Sequence, residues 1–168
     1  MENIIEIENK EISLKDQFRK EVSVLQETLI KSGNPRIEVP DEGKICVDTV
    51  NFPLKHSFSE GVYIREMEMK QGSLVVGHIH KRDHTWFLLR GLLTIATEYG
   101  TEDYIGPCYV QAPSGAKRII YAHEDSIFVN IHLNPTNTKD IDELEKYTYA
   151  ESYEEYEEWK KENTNEND

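Results

Sequence analysis

Gly72-Ser73-Leu74-Val75-Val76-Gly77-His78-Ile79-His80-Lys81-Arg82-Asp83-His84-Thr85-Trp86-Phe87-Leu88-Leu89-Arg90-Gly91 is the stretch on which the reading of this chain turns. Three of the six histidines fall within seven residues of it. Side chains alternate faces along a strand, so the spacing predicts that His78 and His80 point the same way. Lys81-Arg82-Asp83 reads as a polar turn, and His84 stands at the mouth of a second apolar run. A strand, a turn and a returning strand bring three imidazoles together. Apolar flanks imply burial, and buried imidazoles need partners. Neutral imidazole is the commonest metal ligand, so the expected cofactor is one divalent transition metal: Fe, Mn, Ni, Cu or Zn. The plainer alternative is a polar hairpin tip.

The spacing of Gly72, His78, His80, His84 and Gly91 resembles the first motif of the cupin superfamily, with His84 where the family usually has Glu. Gly106 to Arg118 resembles the second motif, with Pro113-Ser114-Gly115 as its turn. The spacer before Pro113 is one residue longer, Arg118 takes the usual histidine position and Ala122 the usual asparagine. The resemblance covers about residues 44 to 133. It implies a mainly β chain: a double-stranded β-helix, or jelly-roll barrel, with an N-terminal helix and a C-terminal helical extension. Phe58 to Glu66 and Gly115 to Arg118 also resemble small uncharacterised cupins of bacteriophage genomes. That likeness implies a cytoplasmic protein of a bacterium or infected cell, or a virion-associated one.

The resemblance makes His78, His80 and His84 the expected metal ligands. Arg118 cannot ligate a metal, so His132, closing the apolar strand from Ile127, is the expected fourth. His56 and His123 read as exposed loop residues. Arg118 facing inward would bind a carboxylate or phosphate bidentately; facing outward, beside Lys117, it is an ordinary solvated residue, and the outward reading is the one taken here. No catalytic residue can be named.

Around this centre the chain divides into a helical extension over 1–43, a barrel over 44–133 and an acidic helix and tail over 134–168. Leu14, Phe18, Val22, Leu25 and Leu29 form one apolar stripe, so a helix is expected to start at a Ser13 cap and end near Gly33. An edge strand is expected at Ile4 to Ile7. Short strands are expected at 44–50, 61–70, 74–80, 85–90, 92–98, 102–105, 108–112, 117–122 and 126–133, a pattern of antiparallel barrels and sandwiches. Asp140 with Glu143 and Ser152 with Glu155 read as helix starts, and Tyr153, Tyr156 and Trp159 make an aromatic stripe. Residues 149–168 are expected to be dispensable for folding of the barrel, and 163–168 to be disordered.

Of the net charge of −13, about −9 lies in residues 140–168, with twelve acids against three lysines. Without a basic stripe this speaks against nucleic acid and anionic membranes. No run has transmembrane length, and the N-terminus does not read as a signal peptide. Cys46 and Cys108 read as free thiols. The expected partners are a small-molecule ligand and either a second copy of the chain or an assembly partner. Two functions compete: a metal-dependent enzyme of the dioxygenase or isomerase class, and a non-catalytic binding or assembly module, which the phage likeness brings in. Fold does not decide between them.

Overall fold

The computed structural model describes residues 4–39 and 51–164, with side chains from residue 14 to 39 and 51 to 163. The strand expected at 44–50 and Cys46 lie outside the described residues. Helix α1 spans Ile4–Ser32, so neither the edge strand at Ile4 nor the Ser13 cap is present. Gly33 follows with φ 59°, ending the helix. Val22 is buried, Phe18, Leu25 and Leu29 are half-buried and Leu14 is exposed, so the stripe packs mainly at its middle.

The strands are β1 (Ile37–Glu38), β2 (Leu54–Ser59), β3 (Gly61–Met69), β4 (Leu74–Val76), β5 (Ile79–His80) and β6 (His84–Arg90). They continue with β7 (Leu92–Thr97), β8 (Gly100–Ile105), β9 (Cys108–Ala112), β10 (Ile119–Ala122), β11 (Ser126–Asn134) and β12 (Tyr149–Ala150). One five-stranded sheet runs β1-β4-β10-β7-β8 and the other β2-β3-β11-β6-β9; β5 and β12 form a short pair of their own. Every pairing is antiparallel except β1 with β4. Between the sheets lies the core, with Met67, Met69, Trp86, Leu88, Leu93, Ile95, Ile120 and Phe128 among its buried residues. Alternation sorts the faces: along β6, His84, Trp86 and Leu88 point in.

Two local features place the histidines. The expected single strand at 74–80 breaks at Gly77-His78, where Gly77 N–H donates to the Arg118 carbonyl at 2.7 Å. On β11, Ile131 pairs with Thr85, so His132 is one step past that pair, next to His84.

The C-terminal segment is integral to the molecule. Helix α2 (Ile141–Thr148) starts at Asp140, whose side chain accepts from the Asp142 and Glu143 amides, as its sequence indicates. Helix α3 (Tyr153–Thr164) follows Ser152, whose Oγ accepts from the Glu155 amide at 3.1 Å; Glu155 accepts from the Glu151 amide at 2.7 Å. Tyr156 packs with Ile79 and Ala150, flanked by Tyr153 and Trp159. Helix continues through residue 164, so the start of the segment expected to be disordered is helical. Against the expectation that 149–168 is dispensable, β12 pairs with the histidine strand and Tyr156 of α3 packs on Ile79.

Candidate functional site

His80, His84 and His132 come together inside the barrel. The His80 and His84 rings stack with centroids 3.8 Å apart and 9° from parallel, and each lies 5.5 Å from His132. All three are buried. Tyr149, brought beside His80 by the β5–β12 register, closes the cluster: its ring meets His80 edge-on at 4.9 Å, and its hydroxyl lies 3.3 Å from His132 Nε2. Arg65 Nη1 donates to that hydroxyl at 3.2 Å. His78 lies off the strand. Because the backbone breaks before it, its ring stacks on Tyr149 at 4.9 Å instead of extending the pair with His80.

Arg118 corrects the outward reading. It is 4% exposed, and its Nη2 lies 3.3 Å from both His80 Nε2 and Asn130 Oδ1. Its backbone carbonyl is held by Gly77, which aims the side chain between the sheets. Lys117 is also buried and donates to Gln26 of α1 at 2.5 Å. His56 is corrected too: it sits on β2, half-buried, with Nδ1 2.8 Å from the Tyr63 hydroxyl. His123 is exposed in a bend beside Thr94, as expected.

The electrostatics keep the imidazoles neutral. Burial, then the charge of Arg65, lowers His78 to about 4, with Glu145 opposing. Burial, then Arg118, lowers His84 to about 3. His80 is pushed well down by burial and Arg118, and His132 by burial, His84 and Arg65. Arg118 itself falls to about 10 on burial and stays cationic at neutral pH.

Neutral imidazole is the form that ligates a metal. His78 Nε2, His80 Nδ1 and His84 Nε2 are buried without hydrogen-bond partners. A cavity of about 10 Å³ touches His84 and His132, on the scale of a single water or ion. Donor type and protonation suit a divalent metal at His84, with room beside His84 and His132; His80 Nδ1 carries that ring's proton while Nε2 accepts from Arg118. The arrangement is not a finished coordination sphere: among the described residues no group of three or more His, Cys, Asp or Glu is placed to hold an ion. Parallel stacked rings send their in-plane lone pairs side by side, so His80 and His84 must tilt toward each other for both to bind one ion.

A second cavity, of about 170 Å³, opens between β6–β9 and β7–β8, walled by Trp86, Ile95, Tyr104 and Val110 with Arg118 among its lining. Sequence reasoning missed Tyr149, Arg65 and Asn130. Tyr149 carries no signal in the motifs, because only the β12 pairing brings it in. The even spacing of Asn130 with His132 along one strand is the signal that could have found Asn130.

No protein-family model matches the sequence, and no curated protein does. Solved structures do. Salicylate 1,2-dioxygenase from Pseudoaminobacter salicylatoxidans superposes with a TM-score of 0.51 at 9% identity, over 67% of this chain and 32% of that one. A cupin domain from Bordetella pertussis Tohama I gives a TM-score of 0.42 at 19% identity, over 50% and 94% of the two chains. Ectoine synthase from P. lautus gives 0.46 at 15% identity, over 53% and 67%. At these identities the likeness is one of fold. With the motif-one histidines seated on β5, β6 and the turn before β5, and two antiparallel sheets closed around them, the chain has the cupin fold.

Proposed function

We propose that this protein holds one divalent transition metal in its histidine cluster and uses it on a small molecule, as a metal-dependent enzyme of the dioxygenase or isomerase class. The observation that carries the reading is the trio His80, His84 and His132, buried, neutral and within 3.8 to 5.5 Å of one another by ring centroid. His84 and His132 are the inner donors, and His80 joins them when Arg118 moves off Nε2, the one nitrogen of that neutral ring with a lone pair. His78, stacked on the Tyr149 ring at 4.9 Å, is the fourth residue of the set. When bound, the ion supplies Lewis acidity toward a substrate oxygen. The chain's own groups do the rest. Tyr149 takes a hydrogen bond from Arg65 and lies 3.3 Å from His132 Nε2; accepting from that N–H, it fixes the ring's orientation and the tautomer that leaves Nδ1 free for the ion. Arg118 sets a positive charge beside His80, which favours an anionic ligand.

The test is cobalt(II) titration of metal-free protein, followed by visible absorption. Ligand-field bands saturating near one equivalent support the reading, with clear losses in His84→Gln and His132→Gln and none in His123→Gln. Bands that survive both buried substitutions, or no bands in the wild type, contradict it. One observation favours a second reading, a binding module without metal: the Arg118 guanidinium occupies the Nε2 side of His80 and repels a cation there. An unresponsive wild type in the cobalt titration selects that reading.

A further inference from the structure

Arg118 is a buried cation with no ion-pair partner among the described residues. Its two side-chain bonds are both 3.3 Å long and both go to neutral acceptors, the His80 ring and the Asn130 amide. Its Nη1 is buried without a hydrogen bond. The nearest aromatic face, that of Phe128, lies 5.7 Å from the guanidinium carbon. A guanidinium so placed has lost its water and gained no counter-charge, a costly arrangement unless an anion completes it.

The cavity that Arg118 helps to line has room for such an anion. It holds about 170 Å³, lies against the buried Trp86 and Ile95, and takes Tyr104 and Val110 as further apolar walls. A cavity of ~150 Å³ with apolar walls accommodates a benzene-sized body. The carboxylate among its lining residues, Glu102, is exposed and accepts from the Tyr104 hydroxyl at 2.6 Å, so it does not neutralise Arg118. Apolar walls with a single buried fork of donors select a ligand that is apolar at one end and carries two coplanar acceptor oxygens at the other.

We infer that the cavity between β6–β9 and β7–β8 is a binding site for a small monocarboxylate with an apolar, aromatic-sized body, its carboxylate paired with Arg118. The inference deepens the reading above by naming a substrate class, but pairing with Arg118 needs no metal. It adds charge-assisted bonds to a guanidinium that otherwise makes two long ones to neutral acceptors and leaves Nη1 without a partner. The carboxylate then lies on the guanidinium that also touches His80, next to the histidine cluster.

The experiment uses the full chain freed of metal by a chelator, with benzoate and benzamide as probes in calorimetric titrations. Trp86 fluorescence in a Trp159→Phe background reports on the cavity wall. Benzoate binding at least about tenfold tighter than benzamide, with a change in Trp86 emission, is expected. Arg118→Gln removes the preference, and Arg118→Lys retains part of it. Equal binding of the two probes, no benzoate binding, or a preference that survives in folded Arg118→Gln overturns the assignment. If Arg118→Gln fails to fold, the wild-type comparison decides alone. Benzoate binding that appears only after metal is restored also overturns it, by placing the carboxylate on the ion. A protein that binds benzoate but no metal keeps this inference and loses the proposed function.

Discussion

Arg118 Nη2 lies 3.3 Å from His80 Nε2, a cation set against a neutral imidazole inside the barrel. The contact makes the ring nitrogen an acceptor, and with burial it lowers the proton affinity of His80; the same charge acts on His84 and His132. Arg118→Gln therefore raises the pKa of all three imidazoles, read from their ring resonances in a nuclear magnetic resonance titration of metal-free protein. Unchanged titration curves would mean that burial alone holds them neutral.

The metal-free protein loses stability in mild acid. His78 and His84 have folded pKa values of about 4 and about 3, below the ordinary 6.5. Between those values and 6.5 the unfolded chain binds more protons than the folded one, so stability rises with pH across that window and is complete above it. Urea midpoints should stay level above about pH 7 and fall steadily from pH 6.5 toward 4. A level midpoint down to pH 4.5 would show that the rings protonate freely in the folded state.

Tyr149→Phe removes one hydroxyl shared by Arg65 and His132. Both partners are buried, so the loss is expected to cost about 1–3 kcal/mol in chemical unfolding. Because the hydroxyl orients His132, cobalt affinity should fall as well, by about tenfold or more. Deleting 149–168 is harsher, since it strips β12 from β5 and uncovers Ile79; a cooperative thermal transition equal to that of the wild type would contradict the packing described.

Gly91 joins β6 to β7 with φ 101°, and a Cβ there would sit 2.7 Å from Ser126 Cβ and 2.8 Å from Ser126 Cα. Positive φ and a backbone clash act together, so Gly91→Ala should destabilise by more than about 1 kcal/mol. Gly100, at φ 134°, has open space around its added Cβ. Gly100→Ala thus bears backbone strain alone and should cost less, and the two denaturation midpoints test the order.

Much of the barrel was legible because period-two alternation is imposed by burial. The strands at 108–112 and, within a residue or two, at 85–90, 92–98 and 126–133 follow from their own residues. What escaped depends on distant partners. Strand β2 (Leu54–Ser59) carries Lys55, His56 and two serines and is held by its register with β3. Tyr149 enters the site only because two residues of β12 find β5. His78 and His80 were expected on one unbroken strand; the strand breaks at Gly77-His78, yet both rings lie 4.9 Å from Tyr149. Arg118 looked like a surface residue beside Lys117, yet both are buried under α1 and the barrel, which local charge cannot reveal.

Metal stoichiometry bears most directly on the central claim. The wild-type protein, produced with iron, manganese, nickel, copper and zinc all supplied, is compared by elemental analysis with the His80→Ala, His84→Ala double variant. Close to one equivalent of a single divalent transition metal is expected in the wild type and only a trace in the double variant. Metal-free wild type, or full occupancy in the double variant, would contradict a metal held by this histidine cluster; should the variant not fold, the wild-type value alone decides.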